Sequence, residues 1–143
     1  MAGSESPIVL IQSQFAIQAQ TLLSDHVQRH CMHHLYDDQA QVRTTPTTSR
    51  KPDVAVWRRN STDPPVFVLE VREQSERWLI RLERMVEYLR IGVRAVVILD
   101  PKTESASVFR SGARQETFEK DQTLTIEDVL PGFAVPVARF IEE

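Results

Sequence analysis

An aspartate, Asp53, opens one apolar run of this chain, and a glutamate, Glu70, nearly closes the next: KPDVAVW, then PPVFVLEVRE. Both runs are rich in β-branched residues and read as strands with buried faces. A buried carboxylate is costly unless it is paired with a base or bound to a metal. Two acids on adjacent strands repel each other, and a divalent cation relieves that repulsion. Magnesium held by two carboxylates can activate water and neutralise a phosphodiester as it is attacked. The structural alternative is that Asp53 caps a turn after Pro52 and Glu70 pairs with Arg72 or another surface base. Spacing alone leans towards that alternative, because isolated acids are common.

Periodicity supplies the elements that would position these acids. Residues 12–30 read as a helix, with Phe15, Ala19, Leu22 and His26 at 4-3-4 spacing. MHHLYDD and QAQVRTT suggest one or two strands, and TTPTTSRKP a turn-rich loop. DVAVW and VFVLEV are strands joined by RRNSTDPP in a hairpin-like connection. Residues 76–91 read as a second helix, with Trp78, Leu79, Leu82, Met85, Val86 and Leu89 on its apolar face. Ser75 suits its N-cap and Gly92 its C-terminal glycine. RAVVILDP is a continuous apolar run, as in a central strand, and closes a right-handed βαβ crossover. SASVFR and QETFEK form a hairpin around SGAR. The tail LTIEDVLPGFAVPVARFI holds two prolines and is expected to wrap the domain edge. The whole, residues 1–143, is one α/β domain of a sheet flanked by helices, with 1–11 a flexible N-terminus.

Composition narrows the chemistry. The single cysteine, Cys31, excludes an internal disulfide and suits a reducing cytosol. No apolar run approaches the roughly 20 residues of a membrane span, and the N-terminus lacks the features of a signal peptide. A cytoplasmic protein without a membrane partner is the expectation. The net charge of −3 does not suit a protein that coats nucleic acid. It does not exclude a local basic patch, and magnesium-dependent nucleases can be acidic overall because their metal carries the positive charge. The four glycines are scattered singly, so there is no phosphate-cradling loop. His26 and His30 have a zinc-compatible spacing beside Cys31, His33 and His34, but no second ligand pair matches them. Arg43, Arg50, Lys51, Arg58 and Arg59 flank the Asp53 strand. They make either a phosphate-binding rim or ordinary surface charge.

The ordered series PDVAVW, PPVFVLEV, YLRIGVRAVVILDP, SVFRSG and VLPGFAVPV resembles the Uma-two family of restriction-endonuclease-like proteins, within the PD-(D/E)XK nuclease superfamily. The likeness covers roughly residues 12–140 and rests on the order of the segments rather than on one motif. It implies a restriction-endonuclease-like mixed β-sheet flanked by helices, with DNA as partner and magnesium or manganese as cofactor. Asp53 and Glu70 match the family's metal-binding acids, and the carbonyl of Val71 its third ligand. The family's lysine, four residues before a helix tyrosine, falls on Arg84, with Tyr88 as that tyrosine. Aligning E-X-K directly puts Arg72 in the lysine's place instead. The polar E-V-x-S-P-S segment reads EVREQS here, and the acid often found before the lysine is Ile80.

Both alignments therefore replace lysine by arginine. Lysine can give up a proton and help to activate water, whereas arginine cannot. Arginine can still hold a phosphate or stabilise its developing charge. Ile80, Arg84 and Tyr88 share a helix stripe nearly opposite the apolar face, where Arg84 could simply pair with Glu83 or Glu87. An apolar Ile80 there points to cover by a second subunit. Two readings stay open: a magnesium-dependent endonuclease with an altered site, or a catalytically degenerate module that binds nucleic acid or dimerises. A homodimer suits an enzyme that cuts both strands.

Overall fold

The computed structural model describes residues 13–31, 33–37, 39–73 and 76–142. The N-terminal segment 1–11 and the proposed cap Ser75 lie outside them. Helix α1 (Gln14–His30) starts at Ser13, whose hydroxyl accepts the Ala16 N–H at 3.1 Å. Ala16, Ala19, Leu23 and Val27 face inward from it. Strand β1 (His34–Asp37) follows, then β2 (Val42–Thr45) and β3 (Thr48–Arg50). The last two pair as a small hairpin: β2 lies in the QAQVRTT stretch read as a strand, and β3 in the stretch read as a loop. In β3, Thr48 and Arg50 are half-buried and Ser49 is exposed, a run too weakly apolar to announce a strand.

Strands β4 (Val54–Arg58) and β5 (Phe67–Val71), helix α2 (Trp78–Arg90) and strand β6 (Ala95–Asp100) form the centre. Gly92 ends α2 at φ +108°, a conformation that favours glycine. The Val93 N–H donates to the Tyr88 carbonyl and the Gly92 N–H to that of Leu89, closing a Schellman cap. Strands β7 (Ser105–Phe109) and β8 (Glu116–Glu119) make the predicted hairpin, and β9 (Thr123–Thr125), β10 (Ala134–Pro136) and helix α3 (Ala138–Ile141) complete the chain.

Among the described residues, six strands form one sheet in the order β1-β4-β5-β6-β7-β8. Only β5 and β6 run parallel, as the α2 crossover requires. Alternation along the strands gives two apolar layers. Val54, Val56, Phe67, Leu69 and Val71 face α1. Ala55, Val68, Val96 and Ile98 face α2, with Met85 and Tyr88. The tail does more than wrap an edge: Leu124, Ile126, Leu130, Phe133, Val137 and Phe140 are buried in the α1 layer. A single helix is too narrow to cover that face of the sheet, and the tail fills the remainder.

Helix α2 departs most from its sequence reading. Arg81, Met85 and Tyr88 are its buried residues, while Leu79 is 72% exposed and Val86 42%. The helix is turned from its most apolar face towards a buried acid on β5.

Candidate active site

The ladder between β4 and β5 pairs Ala55 with Val68 and Val54 with Leu69. Asp53 immediately precedes β4, and continuing this register one step past Val54 would set it opposite Glu70. Glu70, two residues from Val68, projects from the α2 face, where Arg81 and Tyr88 meet it. The two sequence-predicted acids lie near enough for the Glu70 charge to act on Asp53.

The dipeptide Pro52-Asp53 has a local explanation. In this register Pro52 stands opposite Val71, and proline has no N–H to donate. The Val71 N–H is taken instead by Asp53 Oδ2 at 2.8 Å. A strand residue's N–H and C=O point to the same side, so the Val71 carbonyl faces the Asp53 edge without a ladder donor from Pro52. From α1, the buried Gln20 donates Nε2 to the Asp53 carbonyl at 3.1 Å and fixes the peptide there.

Glu70 is 3% exposed and fully engaged. Tyr88 donates its hydroxyl to Oε2 at 2.6 Å. Arg81 donates Nη1 to Oε1. Arg81 is itself buried, and Glu76 accepts from its Nε at 2.9 Å and from its Nη2. Burial works against the Arg81 charge, but Glu70 and Glu76 more than offset it and raise its pKa. Burial, then the adjacent Glu70 charge, pushes the Tyr88 phenol far above its ordinary range, so it stays a proton donor.

The basic residues separate clearly. Arg72 turns to Asp100, at 2.9 Å, and lies 5.0 Å over the Trp78 ring. Arg84 is half-buried, 3.9 Å from the second oxygen of Glu76. Arg81 is the arginine against Glu70. Sequence reading missed it, although its spacing to Met85 and Tyr88 puts the three on one stripe. Of the proposed basic rim, Arg50 forms a bidentate pair with Glu87 on α2, at 3.0 and 2.9 Å. Arg58 lies at the opposite end of β4 from Asp53, about 16–17 Å along the strand. Among the histidines, His26 Nε2 meets the Pro131 carbonyl at 3.0 Å and its ring lies tilted against His30, with centroids 5.1 Å apart.

The donor set suits a hard cation: two carboxylates and a carbonyl, all oxygen. Among the described residues no group of three His, Cys, Asp or Glu side chains surrounds one point. An ion here would rely on Asp53, Glu70, the Val71 carbonyl and water, as magnesium commonly does.

Burial, and then the charges of Glu70 and Glu73, raise the Asp53 pKa; the Val71 N–H and Arg81 oppose the shift. A carboxyl whose folded pKa is raised binds more protons folded than unfolded. Its contribution to stability is therefore greatest in acid and is lost as pH rises from the ordinary aspartate range through the folded value. Asp53→Asn keeps an acceptor for Val71 and removes that penalty. Urea melts at pH 7 should show it more stable than the wild type, by up to roughly 1 kcal/mol. The difference should shrink towards pH 4 as Asp53 itself protonates.

A mixed sheet with a parallel βαβ centre, flanked by helices, defines the class: a restriction-endonuclease-like α/β fold. The family model Uma2, described as "Putative restriction endonuclease", matches residues 7–138. The chain belongs to this family. Among solved structures it is similar to a "putative nuclease belonging to DUF820" from Anabaena variabilis ATCC 29413, with a TM-score of 0.76 at 14% identity, covering 99% of this chain and 87% of that one. A DrdV–DNA complex aligns with a TM-score of 0.44 at 12% identity, over 90% of this chain and 96% of the other. No curated protein sequence matches the chain. No helix among the described residues is long and apolar enough to cross a membrane.

Proposed function

We propose that this chain is a divalent-metal-dependent nuclease that hydrolyses DNA phosphodiester bonds. The observation that supports the reading is the closeness of Asp53 to the end of β5: its Oδ2 accepts the Val71 N–H at 2.8 Å, and the charge of the preceding Glu70 acts on it. Asp53, Glu70 and that carbonyl would hold magnesium or manganese, which supplies an activated water and neutralises phosphate charge. Gln20 and the Val71 N–H keep Asp53 in place, and Tyr88 keeps Glu70 in place. Arg84, half-buried at the outer side of Glu76, is the arginine with freedom to hold a phosphate. Arg72 is committed to Asp100 and Trp78 and serves the frame of the site. Ile80 is 44% exposed, which leaves α2 the apolar surface that a homodimer would use.

A specific observation favours a second reading. The buried base on Glu70 is an arginine, which cannot act as a proton acceptor. A degenerate relative would keep the acids and the fold for binding DNA or for dimerising, without turnover.

Plasmid cleavage separates the two. The purified chain is incubated with supercoiled DNA in Mg²⁺, Mn²⁺ or EDTA, beside Asp53→Ala and Glu70→Ala. The enzyme reading expects metal-dependent nicking that both variants lose. Nicking that persists in the variants would come from a contaminant. DNA left intact by a protein that still binds metal or DNA would establish the degenerate reading.

A further inference from the structure

We propose that Arg81 is the resident cation of the acid pair: its guanidinium holds the position at Glu70 that a divalent ion would take, so an ion enters by displacing it. The inference rests on the metal reading of Asp53 and Glu70 given above.

The two oxygens of Glu70 are committed differently. Oε2 accepts a neutral donor, the Tyr88 hydroxyl, which exerts no charge repulsion on an incoming cation. Oε1 accepts from a full positive charge. A divalent ion within a few ångströms of that guanidinium would be strongly repelled in so buried a place. A guanidinium can neither lose its proton nor ligate metal, so the two cations compete for one position.

The same side chain has somewhere to go. Its Nε and Nη2 both donate to Glu76, which precedes α2 and lies outside the strand that bears Glu70. Release of Glu70 thus leaves the Arg81 charge paired rather than orphaned, and avoids the large penalty of an unpaired buried ion. Glu76 is the pivot, with Arg84 at its other oxygen. Without metal, Arg81 neutralises Glu70 and lets the acid remain buried; with metal, it swings out on Glu76.

Manganese titration of the full chain tests this, using calorimetry and thermal melting on wild type, Arg81→Met and Arg81→Met/Asp53→Asn. Removal of a charge-assisted partner from Glu70 should tighten Mn²⁺ binding by about ten- to a hundredfold. Without ion, Arg81→Met should melt below the wild type, because Glu70 loses its counter-charge. Mn²⁺ should raise its melting temperature by more than it raises that of the wild type, and adding Asp53→Asn should remove the gain. Equal Mn²⁺ affinity in wild type and Arg81→Met overturns the displacement while leaving the metal reading intact. Absence of binding in both overturns the two together. If Arg81→Met does not fold without ion, Arg81→Lys is read instead. Its single ammonium cannot reach Glu70 and Glu76 as a fork does, so it should bind Mn²⁺ more tightly than the wild type, and equality again overturns the proposal.

Discussion

Glu70→Ala should lower the stability of this chain by roughly 3–5 kcal/mol, the range found when one partner of a buried ion pair is removed. Arg81, at 6% exposure, would lose its partner on β5, and the fully buried Tyr88 would lose the acceptor for its hydroxyl. Glu76 continues to pair Arg81, which draws the expected loss to the lower end of that range. For a chain of this size, each kcal/mol moves the melting temperature by about 2–4 °C, so a fall of some 6–12 °C is expected. Urea melts of Glu70→Leu, Arg81→Leu and the double variant give the coupling directly. The double variant should be less damaged than the sum of the singles, because it removes both charges together. A loss below about 1 kcal/mol for Glu70→Ala would mean that Glu70 is solvated and that Arg81 is not its partner. Cleavage by Glu70→Ala must accordingly be measured well below its lowered melting temperature, where lost chemistry is distinct from lost fold.

Much of the frame is legible in the chain itself. The runs DVAVW, VFVLEV and RAVVILDP become β4, β5 and β6 because their β-branched residues fit a buried pleated surface. Gly92 announces the end of α2 because only a residue at ease with positive φ completes that cap. The antiparallel pairing of β4 and β5, which brings the Asp53 and Glu70 ends of these runs together, is legible once the two strands are taken as a hairpin. Other features are set by partners distant in sequence. Apolar spacing assigns Leu79 and Val86 to the inner face of α2, yet the inner face holds Arg81 and Tyr88. Glu70 decides this: eleven and eighteen residues away, it needs a charge and a donor more than the interior needs two further aliphatic groups. Arg72 illustrates the converse. It lies two residues from Glu70, but the parallel neighbour β6 sets Asp100 beside it, and sequence proximity gives way to the cross-strand pair.

The tail provides the second large effect. Phe133→Ala should cost roughly 3–5 kcal/mol, as deletions of buried aromatic rings do. Phe133 is fully buried, edge-on to His26 with centroids 5.3 Å apart, and tilted against Phe140 at 6.4 Å. The turn that delivers it is fixed: Gly132 sits at φ +80°, its N–H bonds to Glu127 Oε2 at 3.0 Å, and the Phe133 N–H bonds to the Leu130 carbonyl. A rigid turn and a close-packed layer leave little scope for collapse into the space, which favours the upper half of that range. The urea midpoint should fall with little change in slope, since the surface exposed on unfolding is nearly the same. Its comparison with Glu70→Ala is informative because Phe133 lies in the α1 layer, across the sheet from Asp53 and Glu70. At a temperature where both variants are folded, Phe133→Ala should bind Mn²⁺ like the wild type, while Glu70→Ala should not. A Phe133→Ala loss under about 1 kcal/mol would return the tail to the edge-wrapping role that its prolines suggest. A loss near 4 kcal/mol with unaltered metal binding would assign the two layers separate tasks, the α1 layer holding the sheet rigid and the α2 layer holding the acids.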